Sequence, residues 1–187
     1  MIKIENIEFS YGDKLIFDRF SAEIGSGITL ISGPSGSGKT TLMRLICGLI
    51  KPQTGQITGI EFGQAAIVFQ EDRLLPWFTV RRNVLAVMDR GTPDSEADRF
   101  LELAMLPGEG DSMPDALSGG MRRRVALARA FAYGGELLAL DEPFKGLDAA
   151  LHTALLERIR EISADKPVLL ISHDPEDKNF ADYSIEL

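Results

Sequence analysis

Apolar residues along this chain come in short runs, and the spacing inside the runs changes from two to about four as the sequence is followed. Over residues 2–24 the pattern alternates, with Ile2, Ile4, Ile7 and Phe9 on one side of Tyr11-Gly12-Asp13-Lys14 and Leu15, Ile16, Phe17 and Phe20 on the other. That spacing predicts two antiparallel strands joined by a turn. Residues 28–32, 65–69, 137–140 and 168–171 are short, mainly apolar runs of strand length, suited to a parallel sheet covered on both faces. A further short run at residues 183–187 reads as the last strand. Helical periodicity occupies residues 39–49, then 149–162 behind Asp148, a good N-cap. A helix over 99–106 is expected behind Thr92, with Pro93 in its first turn and Asp94 and Glu96 beside its positive end. From Gln70 to Ser118 the pattern is helical throughout, which predicts a small helical lobe inserted into an α/β core.

Composition narrows the class. The 187 residues, 44% hydrophobic and 26% charged, suit one folded domain without repeats, low-complexity tracts or linkers. A net charge of -8 argues against nucleic acid as a partner, because duplex binding needs clustered Lys and Arg. Arg122, Arg123 and Arg124 form the one tight basic run and are expected on a solvated or interface helix face. Cys47 is the only cysteine and falls in an apolar helical pattern, so it is expected to pack rather than to react. No apolar run approaches the roughly 18 residues a membrane span needs, and the N-terminus lacks the pattern of a secretory leader. The chain is therefore expected to be soluble by itself, with any membrane role reached through a partner.

Chemistry enters at residues 33–40, Gly33-Pro34-Ser35-Gly36-Ser37-Gly38-Lys39-Thr40. This fits the phosphate-cradling loop G-x-x-x-x-G-K-[ST], and its place between a strand and a helix is the context that motif requires. The N–H groups of residues 36–40 are expected to face the β- and γ-phosphates, with Lys39 meeting the terminal ones and the Thr40 hydroxyl holding Mg²⁺. Thr41, next in line, is counted with the nucleotide set. The strand Leu138-Ala139-Leu140 ends in Asp141-Glu142-Pro143, and strand alternation sends the two carboxylates in different directions. Asp141 is assigned to the metal, and Glu142 to orienting and deprotonating the attacking water. Far from the loop, Leu117-Ser118-Gly119-Gly120-Met121 places a serine and two glycines at a helix start, a second anion site. Two such sites imply a nucleotide gripped from both sides.

With these motifs in hand the chain, over essentially its whole length, resembles the ATP-binding subunit of an ABC transporter. The resemblance implies a P-loop NTPase core (residues 28–72 and 119–187), an N-terminal antiparallel β subdomain (about 1–27) and an inserted helical lobe (about 73–118). It also implies that two subunits pair head to tail around two ATP molecules. Ser118, Gly119 and Gly120 of one copy then cap the γ-phosphate held by residues 33–40 of the other. Gln70 matches the glutamine that reaches Mg²⁺ and the water and reports to the membrane partner. His173 matches the histidine that contacts the γ-phosphate, Tyr11 the aromatic that stacks on adenine, and Asp148 the loop that touches the opposite subunit. No role falls to His152.

Gln70-Glu71-Asp72-Arg73-Leu74-Leu75-Pro76-Trp77, with Thr79-Val80 and Asn83-Val84, resembles the nitrate, sulfonate and taurine importer branch. Residues 141–148 and Met121 point the same way. That branch implies a permease docked near Leu75, Trp77 and Phe78, a location peripheral to the cytoplasmic face of the membrane, and an extracytoplasmic solute-binding protein. The spacings from Lys39 to Gln70 and from Gln70 to Ser118 are compact for such proteins, and Arg123 stands where a glutamine is common. An alternative is a soluble ABC-type ATPase without a membrane partner, against which the single P-loop, the single signature and the short helical insert all count. A phosphotransferase acting on a small acceptor would leave the signature and His173 unexplained. The transported substrate is selected by the permease and binding protein, not by this chain.

Overall fold

The structure is a computed structural model describing residues 1–187. The chain opens with β1 (Ile2–Tyr11) and β2 (Lys14–Ile24), paired antiparallel from Ile2 opposite Ile24 to Tyr11 opposite Lys14. The two-residue turn between them holds Gly12 at φ +55°, a left-handed conformation that suits glycine. Ile2, Ile4, Ile7 and Phe9 are buried, so the alternation that predicted the strand is the face that packs.

After β3 (Ile28–Ser32) come α1 (Lys39–Ile46), β4 (Thr54–Thr58) and β5 (Ala65–Val68). The helical lobe holds α2 (Val80–Leu85) and α3 (Asp94–Leu103), and α4 (Gly119–Tyr133) follows it. The chain closes with β6 (Leu137–Asp141), α5 (Ala149–Ser163), β7 (Val168–Ile171) and β8 (Tyr183–Glu186). The parallel sheet has the order β5-β6-β7-β3-β8, and a three-stranded antiparallel sheet has the order β2-β1-β4.

Period-two alternation divides the core in two. Leu138, Leu140, Val168 and Leu170 join Val125, Leu127, Leu156 and Ile159 on the face covered by α4 and α5. Leu137, Ala139, Leu169 and Ile171 join Leu42 and Ile46 of α1 and Ile4 and Phe17 of the antiparallel sheet on the other. Truncating one of these leucines to alanine costs about 2–5 kcal/mol.

β4 has no counterpart among the strand-like runs, since Thr54-Gly55-Gln56-Ile57-Thr58 carries a single strong apolar residue. Its strand character comes from pairing with β1, Lys3 opposite Thr58 and Ile4 opposite Ile57, so the antiparallel sheet draws on residues outside 1–27. The helix expected over 99–106 behind a Thr92 cap begins instead at Asp94 and ends at Leu103. Pro93 is the cap residue, while the Thr92 hydroxyl donates back to the Asp89 carbonyl at 2.8 Å. The helix stops where Met105 turns left-handed at φ +55°.

The arginine run also departs from expectation. Arg123 is buried, 7% exposed, and its neighbours are half-buried. Arg122, its side chain 40% exposed, donates to the Leu117 carbonyl at 2.7 Å and Arg124 to the Met105 carbonyl, so it is Arg123 alone that leaves the solvated face. Cys47 is buried as expected, and burial pushes its thiol up to about 12.

Candidate functional site

The phosphate-loop sequence spans the gap between the buried end of β3 and the start of α1. Gly38 is the N-cap of α1 at φ +106°, and a Cβ there would meet Ile16 Cγ2 at 2.8 Å, so only glycine closes the loop this tightly. No side chain caps the leading N–H groups of α1, or of α3, whereas α2, α4 and α5 are capped by Thr79, Ser118 and Asp148. An uncapped N-terminus aims N–H groups and the positive end of the helix dipole at whatever the loop encloses. Lys39, 7% exposed, folds back across the loop and donates from Nζ to the carbonyls of Gly33 at 2.9 Å and Pro34 at 2.8 Å.

At the next position the Thr40 hydroxyl donates to Asp141 Oδ2 at 2.8 Å. Asp141 ends β6, fully inside the fold, and burial pushes its carboxyl above the usual range against the opposing pull of the Thr40 bond. Thr40 and Asp141 thus bring a hydroxyl and a carboxylate oxygen side by side, with the Gln70 amide on the same cleft. No group of three or more His, Cys, Asp or Glu is placed so that it could hold a metal ion. Such a sparse, all-oxygen set fits Mg²⁺, which keeps several waters and shares phosphate oxygens rather than filling its shell from protein.

Parallel pairing of β6 with β7, Asp141 opposite Ile171, puts the residues that follow each strand together. Glu142 donates its N–H to the Ile171 carbonyl at 2.9 Å with φ +49°, a left-handed conformation that costs a non-glycine residue energy. Its Oε1 lies 3.4 Å from His173 Nε2 and its Oε2 lies 3.7 Å from Lys145 Nζ.

One cleft of about 300 Å³ collects most of the residues singled out in the sequence. Ser35, Gly36, Gly38, Lys39, Thr40 and Thr41 line it together with Asp141, Glu142, Gln70, His173 and Tyr11. Tyr11 is 47% exposed and makes a T-shaped contact with Phe9, ring centres 4.9 Å apart. Gly33, Pro34 and Ser37 complete the loop without lining the cleft. Lys14 and Ile16, on the strand after the Tyr11 turn, also line it and carried no motif that would have marked them.

Ser118, Gly119, Gly120 and Asp148 lie elsewhere. They line a different cleft of about 530 Å³, which shares no residue with the first. The Ser118 hydroxyl accepts from the Met121 N–H at 3.2 Å and the Asp148 carboxylate from the Leu151 N–H at 3.0 Å, so both side chains cap their own helices. Sequence reasoning also passed over Arg123, which donates to the carbonyls of Phe69 at 2.7 Å and Gln70 at 2.5 Å. His152 stacks on Phe144 with ring centres 4.4 Å apart and lies 2.8 Å from Asp177, a packing role.

Fold and cleft together define a P-loop ATP hydrolase. The family model described as "ABC transporter" matches residues 18–145. The chain is 42% identical over 181 residues to the aliphatic sulfonates import ATP-binding protein SsuB of Granulibacter bethesdensis, covering 93% of this chain and 74% of that protein. It is 39% identical over 193 residues to the sulfate/thiosulfate import ATP-binding protein CysA of Thermosynechococcus vestitus, covering 94% and 57%. Among solved structures, a dimeric ATP-binding cassette in a post-hydrolysis state with ADP and phosphate matches with a TM-score of 0.88 at 26% identity, over 100% of this chain and 94% of that one. The chain belongs to the ABC transporter family.

Proposed function

We propose that this chain is the ATP-hydrolysing subunit of an importer, powering uptake of a small solute such as a sulfonate, nitrate or related compound through a partner permease. It acts as a head-to-tail homodimer at the cytoplasmic face of the membrane, and an extracytoplasmic solute-binding protein delivers the solute. The dimer rests on one observation above all: the phosphate loop and the Ser118-Gly119-Gly120 helix start line separate clefts of the same chain. A second copy paired head to tail would bring one against the other. The import role draws on the relatives named above and on Trp77, 68% exposed in the loop before α2. That loop is held stiff by buried Asn83, which accepts from the Leu75 N–H and donates to the Leu75, Phe78 and Thr79 carbonyls at 2.8–3.1 Å. A rigid, partly exposed aromatic beside Phe78 suits a permease contact. No helix is long and apolar enough to cross a membrane.

In this reading Lys39 leaves the Gly33 and Pro34 carbonyls for the terminal phosphates of ATP, and the N–H groups of residues 36–40 surround them. Tyr11 stacks on the adenine. Thr40, Asp141 and Gln70 would hold Mg²⁺, which when bound would offset charge on the phosphoryl oxygens. Glu142 takes the proton of the attacking water, and His173 contacts the γ-phosphate. Ser118, Gly119 and Gly120 of the second copy present their helix start to that phosphate, where a preorganised donor set lowers the barrier most, and Asp148 lies at the contact between copies. Affinity capture from native membranes tests the assignment. A co-purifying multi-spanning protein supports transport, and a purely soluble partner set contradicts it.

A further inference from the structure

Arg123 is the one member of the arginine run that is buried, and every polar contact it makes goes to the segment carrying Gln70. Nη1 donates to the Phe69 carbonyl at 2.7 Å and Nη2 to the Gln70 carbonyl at 2.5 Å. Nε lies 3.2 Å from Asp72 Oδ1, an ion contact rather than an aligned hydrogen bond. Six positions along α4, Arg129 adds bonds to the carbonyls of Arg73 at 2.9 Å and Asp72 at 3.2 Å. The backbone from Phe69 to Arg73 is therefore clamped from α4, the helix whose first turn is the Ser118-Gly119-Gly120 signature. Arg123 lies less than one turn beyond Gly120.

We infer that Arg123 is a positioning residue, which ties the Gln70 backbone to the signature end of α4 so that the two move as one body. The chemistry favours arginine. Its planar fork reaches two successive carbonyls at once while the third nitrogen faces an acid, and a glutamine amide cannot make all three contacts. A buried guanidinium persists only when its donors are used, and removing it strands two carbonyls. Arg123 does not line the cleft that holds Lys39 and Thr40. It does line the cleft of Ser118, Gly119 and Gly120, and its charge acts on Asp141, so a cycle with Gln70 is needed to separate the backbone tie from those two routes. The inference rests on the reading of Gln70 as the residue that reaches Mg²⁺ and the water.

A double-mutant cycle tests it, with steady-state ATP turnover, MgATP affinity and thermal midpoint measured for the full chain, Gln70→Ala, Arg123→Met and the double variant. The expected result is about a tenfold fall in kcat for Arg123→Met with KM and MgATP affinity within about twofold of the parent, and less than about a twofold further fall when Gln70 is already alanine. Arg123→Lys recovers part of the rate, because an ammonium can serve two carbonyls as Lys39 does at Gly33 and Pro34. Where Arg123→Met does not fold, Arg123→Gln, which keeps a donor and loses the fork, takes its place in the cycle. Equal falls in both backgrounds, or a fall that tracks lost affinity and a lowered midpoint, overturn the inference. A slow Gln70→Ala beside a normal Arg123→Met overturns it alone. A normal rate in Gln70→Ala overturns the Gln70 reading and the inference with it.

Discussion

His173 Nε2 lies 3.4 Å from Glu142 Oε1, although the two residues follow different strands. The contact exists because β6 and β7 run parallel and in register, ending together at Asp141 and Ile171. It places an imidazole against the carboxylate assigned to the attacking water. General-base assistance is worth about 10² to 10⁴ in rate. Glu142→Gln should therefore lower ATP turnover by that factor while MgATP affinity, read by equilibrium titration, stays within about threefold of the parent.

The signature glycines allow a substitution that leaves the monomer intact. A Cβ on Gly119 comes no closer to another group than 4.0 Å, to Arg122 Nη2, so Gly119→Asp fits its own chain. At the first position of α4 a carboxylate favours the helix by about 0.3–1 kcal/mol. In the proposed head-to-tail pair the same charge would oppose the γ-phosphate of ATP held by the second copy. Melting should be unchanged or slightly raised and MgATP binding retained, with turnover reduced more than about tenfold. A variant as active as the parent would remove the signature from the site.

Asp182 accepts from the Ile28 N–H at 2.8 Å and from Arg160 at 2.6 Å, which joins the lead-in of β8 to the start of β3 and to α5. The Arg160 bond first, and the Ile28 bond second, hold its carboxyl below the usual range. A depressed value stabilises the fold above the ordinary carboxylate pKa, and that contribution disappears as pH falls through the folded value. Asp182 is over a third exposed, so solvent screens the pair and about 1 kcal/mol is the expected loss in Asp182→Asn. Scanning calorimetry at pH 7 should find the variant about 2–4 °C lower. The gap should close below about pH 4.

Cys47, buried at the end of α1 with its thiol pushed up to about 12, holds almost no thiolate at neutral pH. Iodoacetamide should leave it unmodified for hours at pH 8 in the native protein and alkylate it quickly in denaturant. Native labelling at the denatured rate would mean that the α1 end opens freely.

What the sequence made legible was local. The phosphate loop lies within eight consecutive residues, the Ser118 and Asp148 caps are set by their own helices, and the alternation of β1 follows its buried face. Where identity depends on distant partners the signal fails. β4 is a strand because β1 offers it an edge, and Thr54-Gly55-Gln56-Ile57-Thr58 has little apolar pattern of its own. Arg123 in a row of three arginines reads as part of a solvated or interface helix face, and only the fold reveals two carbonyls 53 and 54 positions away as its partners. The cap of α3 was misplaced by one residue because Thr92 spends its hydroxyl on Asp89 instead of on the helix. The separation of signature from phosphate loop was likewise implied by resemblance alone until the two clefts proved distinct.

Light scattering on a sizing column tests the head-to-tail clamp most directly, using Glu142→Gln at saturating MgATP so that the bound state persists. A mass twice the 20.5 kDa of the chain, reverting on removal of nucleotide and absent when Gly119→Asp is added, is the predicted result. A nucleotide-loaded species that stays at 20.5 kDa at every protein concentration would contradict it.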